Sequence, residues 1–280
     1  MQELPALAQD LAKGIREGQG RMKVPRPALE RLAVDIALVA SKVRRATLID
    51  AFAPTLATCL AWAALFEMRD DLEDIIFVLY APAQQVFAVN RKCMLESELP
   101  SPVFVCVSLN APLQIIDMPD GAHTIWQHIK RGCAESTGPS VALLTSADID
   151  ARRCGIAACG MLLEYPVVYA LEAGDISLRL HTNLSRKDVH LWDEAQDWTP
   201  LATCLTDVDL HLITVRLQNV PTISSPHTWI AFSIPHALPQ GEALLLETRA
   251  WLATLQLRFS RDKVQVVIEN KTVHMDRVAL

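Results

Sequence analysis

Three polar residues follow two apolar strands at places where α/β folds hold their ligands. Asp50 ends a short apolar strand, and Ser108 and Asn110 follow the strand predicted over Val103–Val107. Ligands of open α/β sheets bind beside the carboxyl ends of the strands. If the two strands are parallel neighbours, a carboxylate there could act as a base or accept from a ribose hydroxyl or an amine. The alternative is that Asp50 caps the helix beginning near Pro54 and that Ser108 opens a turn.

A corner with two tyrosines is the second candidate position. The segment before it is rich in small residues, which let a helix pack its backbone close to a neighbour. Proline disfavours helical geometry in the preceding residue, so Tyr165-Pro166 should end this helix before a buried strand at Val167–Leu171. Tyr165 and Tyr169 could line a pocket. The alternative is that both rings pack in the interior with their hydroxyls satisfied.

A third pattern is compatible with a metal ion. In a strand, Asp207, Asp209 and His211 would lie on one face, and two carboxylates with an imidazole can bind a divalent cation. An amphipathic strand with one solvated face gives the same alternation without a metal, and this reading is favoured.

Composition excludes several classes of protein. A net charge of −6 and a pI near 5.8 argue against a protein that neutralises the phosphates of duplex nucleic acid. The basic cluster Lys42–Arg45 is explained by a favourable position at the end of a helix. Seven scattered cysteines without a C-x-x-C pair indicate a reducing compartment, hence a cytoplasmic location with the nucleus left open. The longest apolar stretch, Ala51–Phe66, is too short to cross a membrane.

Familiar catalytic and cofactor motifs are missing. The sequence contains no P-loop, no strand-coupled G-x-G-x-x-G, no H-E-x-x-H and no G-x-S-x-G. We therefore expect no cofactor.

The elements that must position these residues indicate an α/β fold. Helix and strand alternate in the first half, whereas strands near 167–171, 176–181, 208–217 and 228–234 dominate the second. A long helix over Glu242–Phe259, with Trp251 and Leu255 on its apolar side, precedes a last strand. We expect a mixed parallel and antiparallel sheet covered by helices, with a hairpin-rich second half.

The N-terminal segment is predicted to be an amphipathic helix on a linker. Leu4, Leu7 and Leu11 follow helical spacing, and Gly18-Gln19-Gly20 ends the pattern. Residues 1–26 would then precede one α/β domain over 27–280, with lobes over 27–145 and 146–280 as an alternative. The three leucines could dock on a protein partner. The oligomeric state stays open.

Several short segments of the chain are unusual in sequence, namely Thr47–Asp50, Gly160–Tyr169, Phe232–Pro235, Arg258-Phe259 and the Val278–Leu280 ending. In these segments the chain resembles an uncharacterised animal protein family whose human member is known only as an open reading frame on chromosome one. This chain has Glu164 and Val168 where the family tends to have glycine and proline. The resemblance implies an α/β protein of unknown role, with Asp50 and the Tyr165–Tyr169 corner as positions of interest.

Two functions are compatible with these patterns. The first is a non-catalytic intracellular binding or adaptor protein that uses the N-terminal helix. The second is an enzyme or binding protein for a small molecule or nucleotide, with a cleft around Asp50 and Ser108.

Overall fold

The computed structural model describes residues 3–18, 24–50, 52–81, 85–107, 112–144, 154–171, 205, 208–220, 226–238, 240–259 and 264–274. These ranges contain seven α-helices and ten strands, arranged in mixed and antiparallel sheets, so the predicted α/β class is confirmed. Among the helices within these ranges, none combines the length and apolarity that a membrane crossing requires.

The first half begins with helices and then alternates. Its elements are α1 (Leu4–Gly18), α2 (Arg26–Ala40), β1 (Ala46–Leu48), α3 (Leu56–Phe66), β2 (Ile75–Tyr80), β3 (Gln85–Asn90), α4 (Arg91–Glu96), β4 (Val103–Val107), β5 (Gln114–Ile116), α5 (Asp120–Glu135) and β6 (Ser140–Leu144). Side-chain caps begin two of the helices, because Thr55 accepts from the backbone N–H of Thr58 and Asn90 from that of Cys93.

The second half is rich in strands, as predicted. Its described elements are α6 (Gly155–Leu162), β7 (Val167–Leu171), β8 (Asp209–Gln218), β9 (His227–Pro235), α7 (Gly241–Arg258) and β10 (Gln265–His274). The strand expected over 176–181 lies outside the described residues.

The strands form three sheets instead of one. The orders are β1-β3-β2-β6, β5-β4-β7 and β10-β8-β9. The pairs β2–β6 and β4–β7 are parallel, and the other pairs are antiparallel. Parallel pairs occur where both faces are covered, and β2 is accordingly buried at every position.

The larger apolar core joins both halves of the chain. It contains Phe77 and Ala88 from the first sheet, Ile213 and Phe232 from the third, and Leu255 from α7. The opposite face of the first sheet forms a second core with α5 and α6. The two predicted lobes therefore share one interior.

The prediction that the leucines of α1 dock on another protein is wrong for the folded chain. Leu4, Leu7 and Leu11 are at most 3% exposed and belong to the main core. Helix α1 packs against α2 and α3, so its apolar face is already covered. Its amphipathic pattern follows from packing within this chain.

The corner after α6 has left-handed backbone geometry at Glu164. Its φ is 60°, and the N–H of Tyr165 donates to the carbonyl of Gly160 at 2.9 Å, which ends the helix. The Glu164 carboxylate accepts from the backbone N–H of Arg45 at 2.9 Å and lies 3.4 Å from the Arg258 guanidinium. A glycine at this position would fit the same backbone without strain.

We therefore expect Glu164→Gly to be more stable than Glu164→Ala by about 1 kcal/mol. Both variants lose the carboxylate, and only glycine adopts the left-handed conformation without a Cβ clash. The exposed helical residue Lys13 is the control, since alanine should be the better substitute there by about 1 kcal/mol. Chemical denaturation of the four variants measures whether glycine is the more stabilising substitute at position 164 and alanine at position 13. The prediction is contradicted if the same residue is the more stabilising one at both positions.

Candidate functional site

The cleft predicted around Asp50 and Ser108 depends on a strand arrangement that the fold does not have. Strand β1 belongs to the four-stranded sheet, whereas β4 lies between β5 and β7 in another sheet. The two strands are therefore not neighbours, and this premise of the prediction is wrong. Ser108 and Asn110 lie outside the described residues. Asp50 is exposed at the end of β1.

A buried charged cluster instead joins α2, the segment before β1, and β9. Nη1 of Arg44 lies 3.6 Å from Oδ1 of Asp35, and Nε2 of His227 donates to the same oxygen at 3.0 Å. Arg44 is 5% exposed and His227 is 2% exposed, whereas the Asp35 side chain is 21% exposed. The prediction that the basic cluster Lys42–Arg45 lies at a helix end for electrostatic reasons is thus wrong for Arg44, which points into the interior.

Several nitrogen atoms of this cluster have no hydrogen-bond partner within the described residues. They are Nε of Arg44, Nδ1 of His227 and Nε1 of Trp229. Arg44 also donates from Nη1 to the backbone carbonyl of Trp229 at 3.5 Å, which brings the Trp229 main chain next to the cluster. Buried polar atoms are nearly always paired, so these unpaired nitrogens call for a partner such as a bound water molecule or ligand atom.

Tyr165 lies within the electrostatic reach of the same cluster. Burial raises the pKa of its hydroxyl, the positive charge of Arg44 opposes this rise, and the negative charges of Asp50 and Asp35 reinforce it. Asp50 and Tyr165, both of which are candidate site residues from the sequence, therefore interact electrostatically in the folded chain. A phenol with a raised pKa stays protonated at neutral pH and acts as a hydrogen-bonding group instead of a base.

Tyr169 has a structural role. Its hydroxyl donates to the carbonyl of Ser233 at 3.0 Å and lies 3.0 Å from the Ser233 hydroxyl, which ties β7 to β9. Burial raises the pKa of this hydroxyl well above its ordinary value. The alternative considered for the two tyrosines, interior packing with a satisfied hydroxyl, therefore holds for Tyr169.

The residues of the predicted metal site pair separately. Asp209 and His211 lie on one face of β8, as predicted, but Nδ1 of His274 is 3.1 Å from Oδ1 of Asp209. Nε2 of His211 is 2.9 Å from Nδ1 of His236. Asp207 lies outside the described residues. Among the residues that are described, no three histidine, cysteine or acidic side chains are arranged to hold a metal ion.

The buried cysteines are poorly suited to nucleophilic chemistry. Burial raises the pKa of Cys59, Cys133 and Cys159 to about 12 in each case. The thiolate is the reactive form, and it is scarce at neutral pH when the pKa is this high.

Helix α7 has an exposed apolar face in addition to its buried one. Its predicted apolar side packs inward, with Leu252, Leu255 and the following Phe259 at most 5% exposed. On the outside, Leu246 is 68% exposed and Leu257 is 71% exposed. We call the exposed residues Ala243, Leu246, Ala250, Ala253 and Leu257 the outer face of α7.

The signal for this second face is present in the sequence. The five residues follow one another at alternating intervals of three and four, which is the spacing of a helix-packing seam. The helix has apolar residues on both sides, and the larger residues of the inner side dominate its sequence pattern. The outer face is therefore difficult to recognise from the sequence.

No protein-family model, curated protein or solved structure matches this chain.

Proposed function

We propose that this chain is a non-catalytic binding protein that contacts another protein through the outer face of α7. The observation that carries the proposal is the exposure of Leu246 and Leu257 on one line of the helix, at 68% and 71%. Single exposed leucines are ordinary, but an aligned apolar stripe on a folded surface marks contact sites.

The borders of the outer face resemble the rim of an interface. Glu247 and Arg249 lie beside the stripe and are exposed, so an apolar strip is flanked by charge. The opposite side of α7 is fixed to the core through Trp251, which meets Phe232 with ring centroids 5.8 Å apart. The helix thus presents a rigid surface that needs little ordering when it binds.

We expect Leu246→Glu to weaken the binding of a protein partner strongly. Burial of one leucine contributes about 1.5–3 kcal/mol, so the affinity should fall by roughly 10-fold to 100-fold or more. Proteins that co-purify with the tagged chain from cells would be quantified by mass spectrometry for the parent and the variant.

The matched control is Met68→Glu, which introduces the same charge at a side chain that is 78% exposed away from α7. A partner retained by the parent and by Met68→Glu, and lost by Leu246→Glu, supports the proposal. Identical partners for all three proteins would count against it.

A second candidate function is the binding of a small polar molecule by the charged cluster of Asp35, Arg44 and His227. The N–H groups of Arg44 and Trp229 that find no partner among the described residues require acceptors, whereas Nδ1 of a neutral His227 requires a donor. A molecule with oxygen acceptors and a hydroxyl or amine donor, such as a nucleotide or a small hydroxy acid, has this chemistry.

Thermal-shift measurements with nucleotides and small carboxylates test this second candidate. A ligand present at a hundred times its dissociation constant should stabilise the chain by about 2.7 kcal/mol. Tyr165→Phe removes a hydroxyl whose pKa responds to the charges of Arg44 and Asp35 and should weaken that shift, whereas Tyr169→Phe removes a hydroxyl bonded to Ser233 and should not. The proposal fails if no compound stabilises the parent, or if both variants respond as the parent does.

A further inference from the structure

Four of the five residues of the outer face of α7, all except Ala243, follow an order that reads the same in both directions. Leu246, Ala250, Ala253 and Leu257 are separated by four, three and four residues. We infer that the partner of this face is a second copy of the chain, with the two α7 helices packed antiparallel about a two-fold axis. The inference rests on the proposed function, because it names the protein that the outer face binds.

A two-fold axis that passes between Ala250 and Ala253 pairs the leucines of one copy with leucines of the other, and the alanines with alanines. Leu246 would meet Leu257 of the second copy at each end of the contact, and Ala250 would meet Ala253 of the second copy near the axis. The two leucines of one helix are about 16 Å apart along its axis, at about 1.5 Å per residue. Alanines at the centre allow the backbones to approach closely, while the leucines close both ends. An interface formed by one patch on two identical subunits must be self-complementary in this way.

The charges beside the seam favour the antiparallel direction. In a parallel pair, the residue just before one outer-face position faces the residue of the second copy that lies just after the next outer-face position. Glu242, which precedes Ala243, would then face Glu247 of the second copy, which follows Leu246. In the antiparallel pair, Glu247 faces Thr254 and Arg249 faces Gln256, so no like charges meet. The helix dipoles also oppose one another favourably in this arrangement.

The area buried between the two outer faces limits the affinity of the dimer. Stable interfaces bury at least about 1,200 Å² in total, and two leucines and three alanines from each copy cover less. We therefore expect a dimer whose population depends on concentration, with a dissociation constant in the micromolar range.

Sedimentation velocity of the purified full-length chain over a dilution series tests the inference. The parent should pass from monomer to dimer over about 1 to 200 micromolar, as a micromolar constant requires. Leu246→Glu should remain monomeric throughout, and Met68→Glu should follow the parent. Because Leu246 is exposed, circular dichroism and the melting temperature of Leu246→Glu should equal those of the parent, which separates lost contact from lost fold. A parent that stays monomeric over the whole series overturns the inference, as does a Leu246→Glu variant that still dimerises.

Oxidative crosslinking tests the direction of the helices. A mixture of Ala250→Cys and Ala253→Cys chains should yield a disulfide between these two positions, identified by mass spectrometry of the linked peptides. Each variant alone should form a disulfide between two copies of itself at least several-fold less. A parallel pair would give the reverse, with each variant linking to itself, and would overturn the antiparallel arrangement.

The outcomes also distinguish this inference from the proposed function. If the parent is monomeric but a different protein binds it and is lost by Leu246→Glu, the second copy is excluded and the outer face remains a binding surface. If neither a second copy nor another protein responds to Leu246→Glu, both proposals fail.

Discussion

Asp35→Ala should destabilise the fold by about 3–5 kcal/mol, the largest effect that we expect from any single substitution in this chain. Arg44 is 5% exposed, and Oδ1 of Asp35 lies 3.6 Å from its guanidinium and 3.0 Å from His227. Removal of this carboxylate would leave a guanidinium buried without its counter-charge. Chemical denaturation of the parent and the variant measures the loss.

An exposed ion pair provides the control for this prediction. Arg69 and Asp71 approach to 2.7 Å with side chains that are 26% and 30% exposed. Surface pairs contribute about 0–1 kcal/mol, so Asp71→Ala should cost far less than Asp35→Ala. The double variant Asp35→Leu/Arg44→Met should recover stability relative to Asp35→Ala, because it removes both charges from the interior. Equal losses for Asp35→Ala and Asp71→Ala would refute the buried position of the cluster.

Gly160→Ala should destabilise the chain by about 1–3 kcal/mol, although alanine is normally the better helix former by about 1 kcal/mol. A Cβ on Gly160 would lie 2.8 Å from one methyl carbon of Val168 and 2.9 Å from the other. Helix α6 therefore packs on β7 through the bare backbone of this residue. Thermal or chemical denaturation gives the sign of the change.

Two further variants isolate the cause. Gly14→Ala places its Cβ 3.2 Å from the end of the Leu65 side chain, which can move, so this variant should be neutral or stabilising. In a Val168→Ala background, Gly160→Ala should lose most of its cost, because the clashing methyl groups are gone. If Gly160→Ala stabilises the parent as much as Gly14→Ala does, the close contact does not exist.

Strands that are covered on both faces could be predicted from sequence to the residue. The predicted bounds of β4 and β7 are those of the structure, because such strands are continuous apolar runs ended by polar residues or proline. The small residues of α6 also predict a close approach of the helix backbone to a neighbour, which is confirmed by the contact between Gly160 and Val168.

Two strands and the sheet arrangement could not be predicted in the same way. Strand β6 is half-buried and pairs in parallel with the distant β2, and β5 has three residues at the edge of its sheet. Neither has a distinct local pattern. The division into three sheets depends on pairings between distant segments, and the expectation that β1 and β4 are neighbours failed for that reason.

The charged cluster shows why sites assembled from distant residues are missed. Asp35 and His227 are separated by 192 positions, and no local motif connects them to Arg44. A basic run such as Lys42–Arg45 is read as solvated by default, because buried arginines are rare. The outer face of α7 was not predicted for a different reason, because the apolar side that contains Trp251 and Leu255 already accounts for a packed helix and Leu246 and Leu257 lie outside it.

Hydroxyl-radical footprinting of the chain in its native assembly tests the central claim that the outer face of α7 is the contact surface. Oxidation of Leu246 and Leu257 would be compared between the assembly isolated from cells and the dilute monomer, with Met68 as an internal reference. We predict strong protection of both leucines in the assembly and no change at Met68. Equal oxidation of Leu246 and Leu257 in the two samples, with protection elsewhere on the chain, would contradict the claim.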